Sequence, residues 1–394
     1  MDTGGSAWRF ECRSCGASVD PTTGTGRCLD CGGILRATPR GEHPSSDRPG
    51  RPTASMWDFE ALLPFDRADS VSMGEGGTPL VSIAELVGHR EVDELWIKDE
   101  GQNPTGSAVD RELSLTVTAI DALGAGKASM AAPGAAGQSF AAYAARAGLE
   151  GTVYLPSRAP FERKALCNVH GIELTVVQDR LPKAQSELTR ARAQDDLGDP
   201  IGAFETPFRY LGATTIAFEI VAQLPSPPDA IVVPTGSGVT LVGIYEGLLT
   251  LQSRGTLGDL PQLIGVQPSG CAPIAAAHRR GDPIQPVTVP DTVCGELEWP
   301  DPDGGAWALE AVEKTNGTMA AISDDAILEM GVSVSRETGL ETSPSAAAGP
   351  AAAIELLDSG RLQPTDSVVV VSTGTGGADL LRSHLETNPR GRAR

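Results

Sequence analysis

Apolar and polar positions along this chain follow two rhythms, and together they predict strands followed by helices over most of its length. The sharpest instance runs from Trp96 to Arg111, WIKDEGQNPTGSAVDR. Trp96, Ile97 and Lys98 end an apolar run that reads as a buried strand, and Asp99 to Gly106 is a loop punctuated by Asn-Pro and Gly. Ser107 is placed as the N-cap of a helix reaching about Leu123. Within it Val109, Leu113, Thr116, Val117, Ile120 and Leu123 recur at three- and four-residue steps, which puts Val109 on the inward stripe of the first turn.

The alternation continues downstream. Ala128 to Ala132 reads as a short strand, residues 133–137 (PGAAG) as a turn, and Gln138 to Ala147 as an Ala-rich helix. Strands follow at Gly151 to Pro156 and Glu173 to Val177, with helices at Ala159 to His170 and Leu181 to Leu197. From Ala230 an all-apolar strand runs into Thr235-Gly236-Ser237-Gly238-Val239-Thr240 and then a helix. SVVVVSTGTGG from Ser367 is a β-branched strand leading to Ser372, Thr373 and Gly374. Strands and helices alternating at these lengths predict parallel α/β sheets.

Composition narrows the setting. The length of 394 residues suits two or three domains. No run of eighteen apolar residues occurs and no basic-then-apolar leader opens the chain, so a cytoplasmic protein with no membrane partner is expected. A net charge of -20 argues against nucleic acid, whose phosphates need a basic face. Lysine stands only at positions 98, 127, 164, 183 and 314; the other basic residues are arginine. Acid excess with scarce lysine fits a halophile-like, high-salt cytoplasm, where surface charge keeps protein soluble.

Cys12-x-x-Cys15 and Cys28-x-x-Cys31 have the spacing of two metal-binding knuckles, with Gly16, Gly32 and Gly33 available for tight turns. Four thiolates leave no open coordination position, so the zinc they imply is structural; the alternatives are a vestigial ribbon or a disulfide pair, the latter disfavoured by a cytoplasmic setting. Cys167, Cys271 and Cys294 are scattered and read as buried small hydrophobes. Residues 38–55, rich in Pro, Ser, Gly and Arg, form a linker. The five histidines, at 43, 89, 170, 278 and 384, sit in unrelated contexts and offer no nucleophile–base pair.

Consecutive N–H groups at a turn entering a helix, with the helix dipole behind them, make an anion cradle. Gly236 to Thr240 and residues 133–138 are both placed for this, the alternative at each being a tight turn with no ligand.

KDEGQNPTGSAVDR resembles the segment of the threonine synthase family that reads roughly KDEGxNPTGSFKDR and carries the lysine holding pyridoxal phosphate as a Schiff base. In that alignment Ala108 and Val109 stand where Phe and the reactive Lys would be. Further stretches are similar to the same family: Met73 to Leu80 (MGEGGTPL), expected as a loop near the mouth of the site, AAYAARAG at 141–148, RYLGATTIAFEIVAQL, LIGVQPSGC and the helix within Leu340 to Leu357.

The resemblance implies a fold type II α/β protein with two parallel-sheet domains and an N-terminal zinc ribbon. Its expected parts are a ribbon at 1–38, a linker and N-terminal segment at 39–70, a larger domain from 71–105 with 203–394, and a smaller one at 106–202. It implies that Gly236, Ser237, Gly238, Val239 and Thr240 hold the cofactor's phosphate and that Thr373 faces its ring nitrogen, mere strand-end placement being the alternative for Thr373. The family Asn that meets the phenolic oxygen falls on Ala135, and its small hydroxyl residues fall on Ala132 and Pro133. Asp291 to Gly295 departs from the pattern, with Cys294 and Glu296 in a region small and neutral in the family.

Valine can neither hold an aldehyde nor carry protons. No other lysine is expected to replace it: Lys98 ends one strand and Lys127 begins the next, neither on the turn that points at the cofactor. Asp99, Glu100, Asp110 and Arg111 read as loop and helix-start charges. The expectation is a threonine synthase-like lyase by ancestry (O-phosphohomoserine to threonine) without covalent pyridoxal phosphate catalysis, any bound cofactor being non-covalent. The alternative is an inactive paralogue that binds a small phosphorylated metabolite or regulates an active homologue as a mixed oligomer; the resemblance implies a homodimer or a heterodimer with a paralogue.

Overall fold

The computed structural model describes residues 8–20, 26–39, 54–84, 92 and 94–376. Most of the expected linker (40–53) and His43, His89 and His384 lie outside them.

At the N-terminal end β1 (Trp8–Cys12) pairs antiparallel with β2 (Ser18–Val19) and with β3 (Leu35–Pro39). Residues of β1 alternate between buried and exposed, and its buried Phe10 packs edge-on against Phe208 of the main body. Arg13 lies 4.2 Å over the Trp307 ring and pairs with Glu310, while Ala37 N–H donates to Tyr210 Oη at 2.6 Å. The ribbon is therefore fastened to the body by apolar, ionic and backbone contacts.

β4 (Leu80–Ser82) runs antiparallel to β5 (Glu94–Asp99), the expected strand at Trp96–Lys98. The chain then crosses through α1 (Val109–Ala122) to a second sheet. There β6 (Lys127–Ala131), α2 (Ala135–Ala147), β7 (Glu150–Pro156), α3 (Phe161–Val169), β8 (Glu173–Val177), α4 (Leu181–Arg192) and the two-residue β9 (Asp199–Pro200) follow in order. All pairs in this four-stranded sheet, ordered β8-β7-β6-β9, are parallel.

The chain returns through α5 (Pro207–Gln223) to β10 (Ala230–Pro234) and α6 (Val239–Ser253). Next come β11 (Gln262–Pro268), α7 (Pro273–Arg280), α8 (Gly305–Lys314), β12 (Thr318–Ile322), α9 (Asp324–Thr338), α10 (Pro344–Asp358) and β13 (Ser367–Ser372). The six-stranded sheet has the order β12-β11-β10-β13-β5-β4, parallel except at β4.

The all-apolar strands need two covered faces, and they have them. On β13, Val369 and Val371 enter the cluster with α5 and α6, while Val368 and Val370 enter the one with α10. The smaller sheet packs Met130, Val153 and Leu155 against Leu113 and Val117 of α1 and Phe140 of α2. Cys167, Cys271 and Cys294 are fully buried, as expected.

Three element boundaries depart from expectation. Helix α2 begins at Ala135 rather than Gln138, because the PGAAG turn is itself half helical. Helix α4 stops at Arg192 rather than Leu197, where its buried positions end with Leu188. The N-cap of α1 is Ala108, although Ser107 Oγ still accepts from Val109 N–H at 3.4 Å.

α1 and α5, the two crossings between the sheets, lie in contact at Gly212. A Cβ there would stand 2.2 Å from Arg111 O, so only glycine allows this approach. Beside it Arg111 makes two-pronged pairs with Glu100 (2.7 and 2.8 Å) and Glu219 (2.6 and 2.9 Å). Lys98 Nζ adds Glu219 at 2.6 Å, and the side chains of all three ion pairs are fully buried. Burial alone would raise Glu219, but Arg111 and Lys98 overcome it and hold its carboxyl at about 2. Of the charges read from sequence as loop and helix-start features, Glu100 and Arg111 are thus part of the joint between the crossings, whereas Asp99 accepts from Gly101 N–H and Gln102 Nε2, and Asp110 from Thr105 and Ser139.

Candidate functional site

A cavity of about 560 Å³ opens at the C-terminal ends of the strands of both sheets, where β5, β6, β10 and β13 give way to α1, α2, α6 and the Thr373–Gly374 segment. Open α/β sheets bind ligands at this edge.

Val109 is the first residue of α1, half buried, with its side chain on the cavity wall. Ala132, Pro133, Ala135 and Ala136 line the wall from β6 to α2, and Gly236, Ser237 and Thr240 from the turn into α6. Thr373 lines it from the end of β13, and its carbonyl accepts from Ala108 N–H at 2.9 Å. The expected site residues are therefore gathered in one place. Gly238, at φ +95, is the N-cap of α6, and Val239 begins the helix. No residue of Met73–Leu80 lines this wall. Glu75 of that loop is fully buried and accepts from Trp57 Nε1, Ser114 Oγ and Tyr143 Oη.

Around the cavity Glu112, Glu298 and the arginines were not singled out in the sequence, whereas Glu296 was. Glu112, one turn beyond Val109, accepts from Arg209 Nη2 at 2.6 Å and Nε at 2.9 Å, and from Thr240 Oγ1 at 3.1 Å. Its burial raises its carboxyl above the ordinary range, with Arg209 only partly opposing this. The stretch after Asp291 folds over the α6 turn: a Cβ on Gly236 would stand 2.6 Å from the Trp299 ring. In the same stretch Glu296 Oε1 accepts from Ala135 N–H, the first of α2, at 2.7 Å. Glu298 is clasped by Arg158 at 2.6 Å and by Arg180, both rooted in the smaller sheet. Arg163 donates to Gln138 Oε1 at 2.6 Å and to the carbonyls of Thr105 and Thr375, all neutral acceptors.

None of the five lysines reaches the cavity. Lys98 Nζ is fully buried behind it and committed to Thr78 O, Glu219 and Gln223. Lys164 donates to Ser157 O, Lys127 and Lys183 pair with surface acids, and Lys314 is exposed at the end of α8. With valine at 109 and alanine at 135, the lining offers no amine for an aldehyde and no side-chain donor at 135 for a phenolate. These residues do not fit a covalently held pyridoxal phosphate.

The four ribbon thiols form a second site. Their Sγ atoms lie within 4.8 Å of one another, with Cys12–Cys31 at 3.4 Å and Cys15–Cys28 at 3.7 Å. Four sulfurs around one zinc at ~2.3 Å stand roughly 3.8 Å apart, so the cluster is the right size for a metal ion. Gly16 and Gly32 turn the two knuckles with φ +74 and +71. Burial notwithstanding, backbone N–H groups push Cys12 down to about 6, whereas Cys31, despite Gly33 N–H, is pushed up to about 12 by its neighbouring thiols.

Residues 71–374 match the family described as pyridoxal-phosphate dependent enzyme. The chain is 30% identical over 372 residues to the threonine synthase of Methanosarcina acetivorans, covering 93% of this chain and 91% of that one. It is also 30% identical over 376 residues to the threonine synthase of Methanocaldococcus jannaschii, covering 93% and 92%. Among solved structures it is similar to the processed form of threonine deaminase isoform 2 from Solanum lycopersicum. That match has a TM-score of 0.67 and 19% identity and covers 78% of this chain and 87% of that one. An L-serine ammonia-lyase from Rhizomucor miehei gives a TM-score of 0.67 at 21% identity, covering 79% and 97%. At these identities the two structures bear on the fold alone.

Proposed function

This chain belongs to the pyridoxal-phosphate dependent enzyme family, in the threonine synthase branch, and from that membership we propose that it keeps the scaffold and cleft without covalent cofactor catalysis. In this reading it is a small-molecule-binding protein derived from a lyase. The observation that carries it is the placement of amines: Val109 holds the first position of α1, and every lysine is engaged elsewhere or on the surface.

The remaining side chains suit binding. Ala132, Ala135, Ala136 and Val109 give an apolar wall against which a small ring or short chain is dehydrated. Arg163 is fixed by three neutral acceptors, which leaves its remaining N–H groups for a polar ligand atom. The Glu298 clasp spans the two sheets and holds the mouth at a set width.

The test is incubation of purified protein with pyridoxal phosphate in high salt, then borohydride reduction, with the visible spectrum and intact mass recorded. A lysine-bearing threonine synthase serves as the positive control. The expected result is no cofactor–lysine band and no stoichiometric mass gain. A gain of one reduced cofactor, mapped to a single lysine, would sink the proposal.

A further inference from the structure

Of the helices that open onto the cavity, α2 and α6 each have at their start a carboxylate from elsewhere in the chain. At α6 the Thr240 hydroxyl has a single proton to give, and it gives it to Glu112 at 3.1 Å. Two of the three Arg209 nitrogens face the same carboxylate, and the third donates to Ile201 O at 2.9 Å. At α2 the N–H of Ala135 is spent on Glu296 at 2.7 Å. Glu296 comes so close that a Cβ on Gly134 would stand 2.5 Å from its Oε1. The stretch carrying Glu296 is tied down: Thr292 Oγ1 and Val293 N–H donate to Asp324 at 2.7 and 2.9 Å, and Leu297 and Trp299 are buried. Over the whole lining, five carboxylates stand against four guanidinium groups. At α2 the first N–H is thus served by an internal carboxylate, and at α6 the Thr240 hydroxyl is, so an incoming phosphate or carboxylate meets a carboxylate beside each cradle.

We infer that Glu112 and Glu296 are specificity-determining residues that turn phosphorylated and carboxylated ligands away, so that the cleft takes a small, largely apolar molecule without net negative charge. This rests on the reading of the cleft as a binding site and reverses the expectation of a phosphorylated ligand drawn from the Gly-rich turn.

The matched probes are pyridoxine and pyridoxine 5′-phosphate, which share a ring, differ by one phosphate and carry no aldehyde to react with lysine. Equilibrium dialysis of the full chain should show pyridoxine bound at least as tightly as its phosphate. Glu296→Gln keeps an oxygen able to accept from Ala135 and removes the charge. Glu112→Gln does the same at Thr240 and leaves Arg209 positive. Each should shift the affinity ratio toward the phosphate at least tenfold. Should Glu112→Gln fail to fold, Glu296→Gln alone decides. A tenfold preference for the phosphate in the unaltered protein overturns the inference, and so does a ratio unmoved by Glu296→Gln. Failure of both probes to bind every variant overturns it too, whereas the covalent-chemistry reading falls only to the borohydride adduct.

Discussion

Arg111→Leu is expected to leave most of the chain unfolded or aggregated at ordinary temperature. Leucine fills part of the volume but leaves Glu100 and Glu219 fully buried with Lys98 as the remaining cation. Breaking a buried pair in this way costs about 3–5 kcal/mol, and here one guanidinium serves two carboxylates. Against a total stability of roughly 5–15 kcal/mol this is a large loss for one substitution. Arg111→Lys should rescue little, because an ammonium cannot reproduce two planar, two-pronged pairs.

The same joint predicts acid sensitivity. Glu219 is held at about 2 against an ordinary 4.5, so its contribution is complete above pH 4.5 and is lost as pH falls from there toward 2. Thermal melting followed by circular dichroism across that window should show the loss. A melting point for Arg111→Leu within a few degrees of the unaltered protein would remove this network from the account of stability.

Stripping metal from the ribbon is the second large effect. One equivalent of zinc is expected in protein purified without chelator, and its removal should unfold residues 8–39 while leaving the two sheets intact. Structural zinc in small modules contributes ~10 kcal/mol or more of local folding free energy, which β1–β3 have little core to replace. Trp8, Phe10, Cys12, Cys28, Leu35 and Ala37 are the buried apolar residues on which the ribbon would otherwise depend. The readout is Trp307 fluorescence, since Arg13 lies on that ring only while the ribbon is docked. Cys28→Ser should reproduce the chelator. Unchanged fluorescence and melting after metal removal, with fewer than the seven thiols of the sequence titratable, would favour disulfides instead.

Much of this architecture was legible because local signals agreed. Trp96–Lys98, Asn103-Pro104 and the stripe from Val109 to Ile120 each pointed to strand, loop and helix, and all three formed. β10, the Gly236–Gly238 turn and α6 were equally plain, since an apolar run, two glycines and a helix period cannot satisfy another arrangement easily. β4 escaped because three residues carry no period and its pairing with β5 is long-range in origin. The site was half legible. Val109, Ala135 and Thr373 could be placed from the motif, but Glu112 looked like any helix-start acid. Only its meeting with Arg209, 97 positions away, and with Thr240, 128 away, gives it a role, and no periodicity encodes such a meeting. Glu296 was visible as an oddity in the sequence, and its partner, a backbone N–H at Ala135, has no sequence signature at all.

The scarcity and placement of lysine have a practical consequence for chemical labelling. Amine-directed reagents will find side-chain targets on the outer surface at Lys127, Lys183 and Lys314, while Lys98 sits locked among carboxylates. A fluorophore, cross-linker or affinity tag attached through amines therefore decorates the exterior and leaves the cleft chemically silent. For a reagent of that kind, the centre of this molecule does not exist.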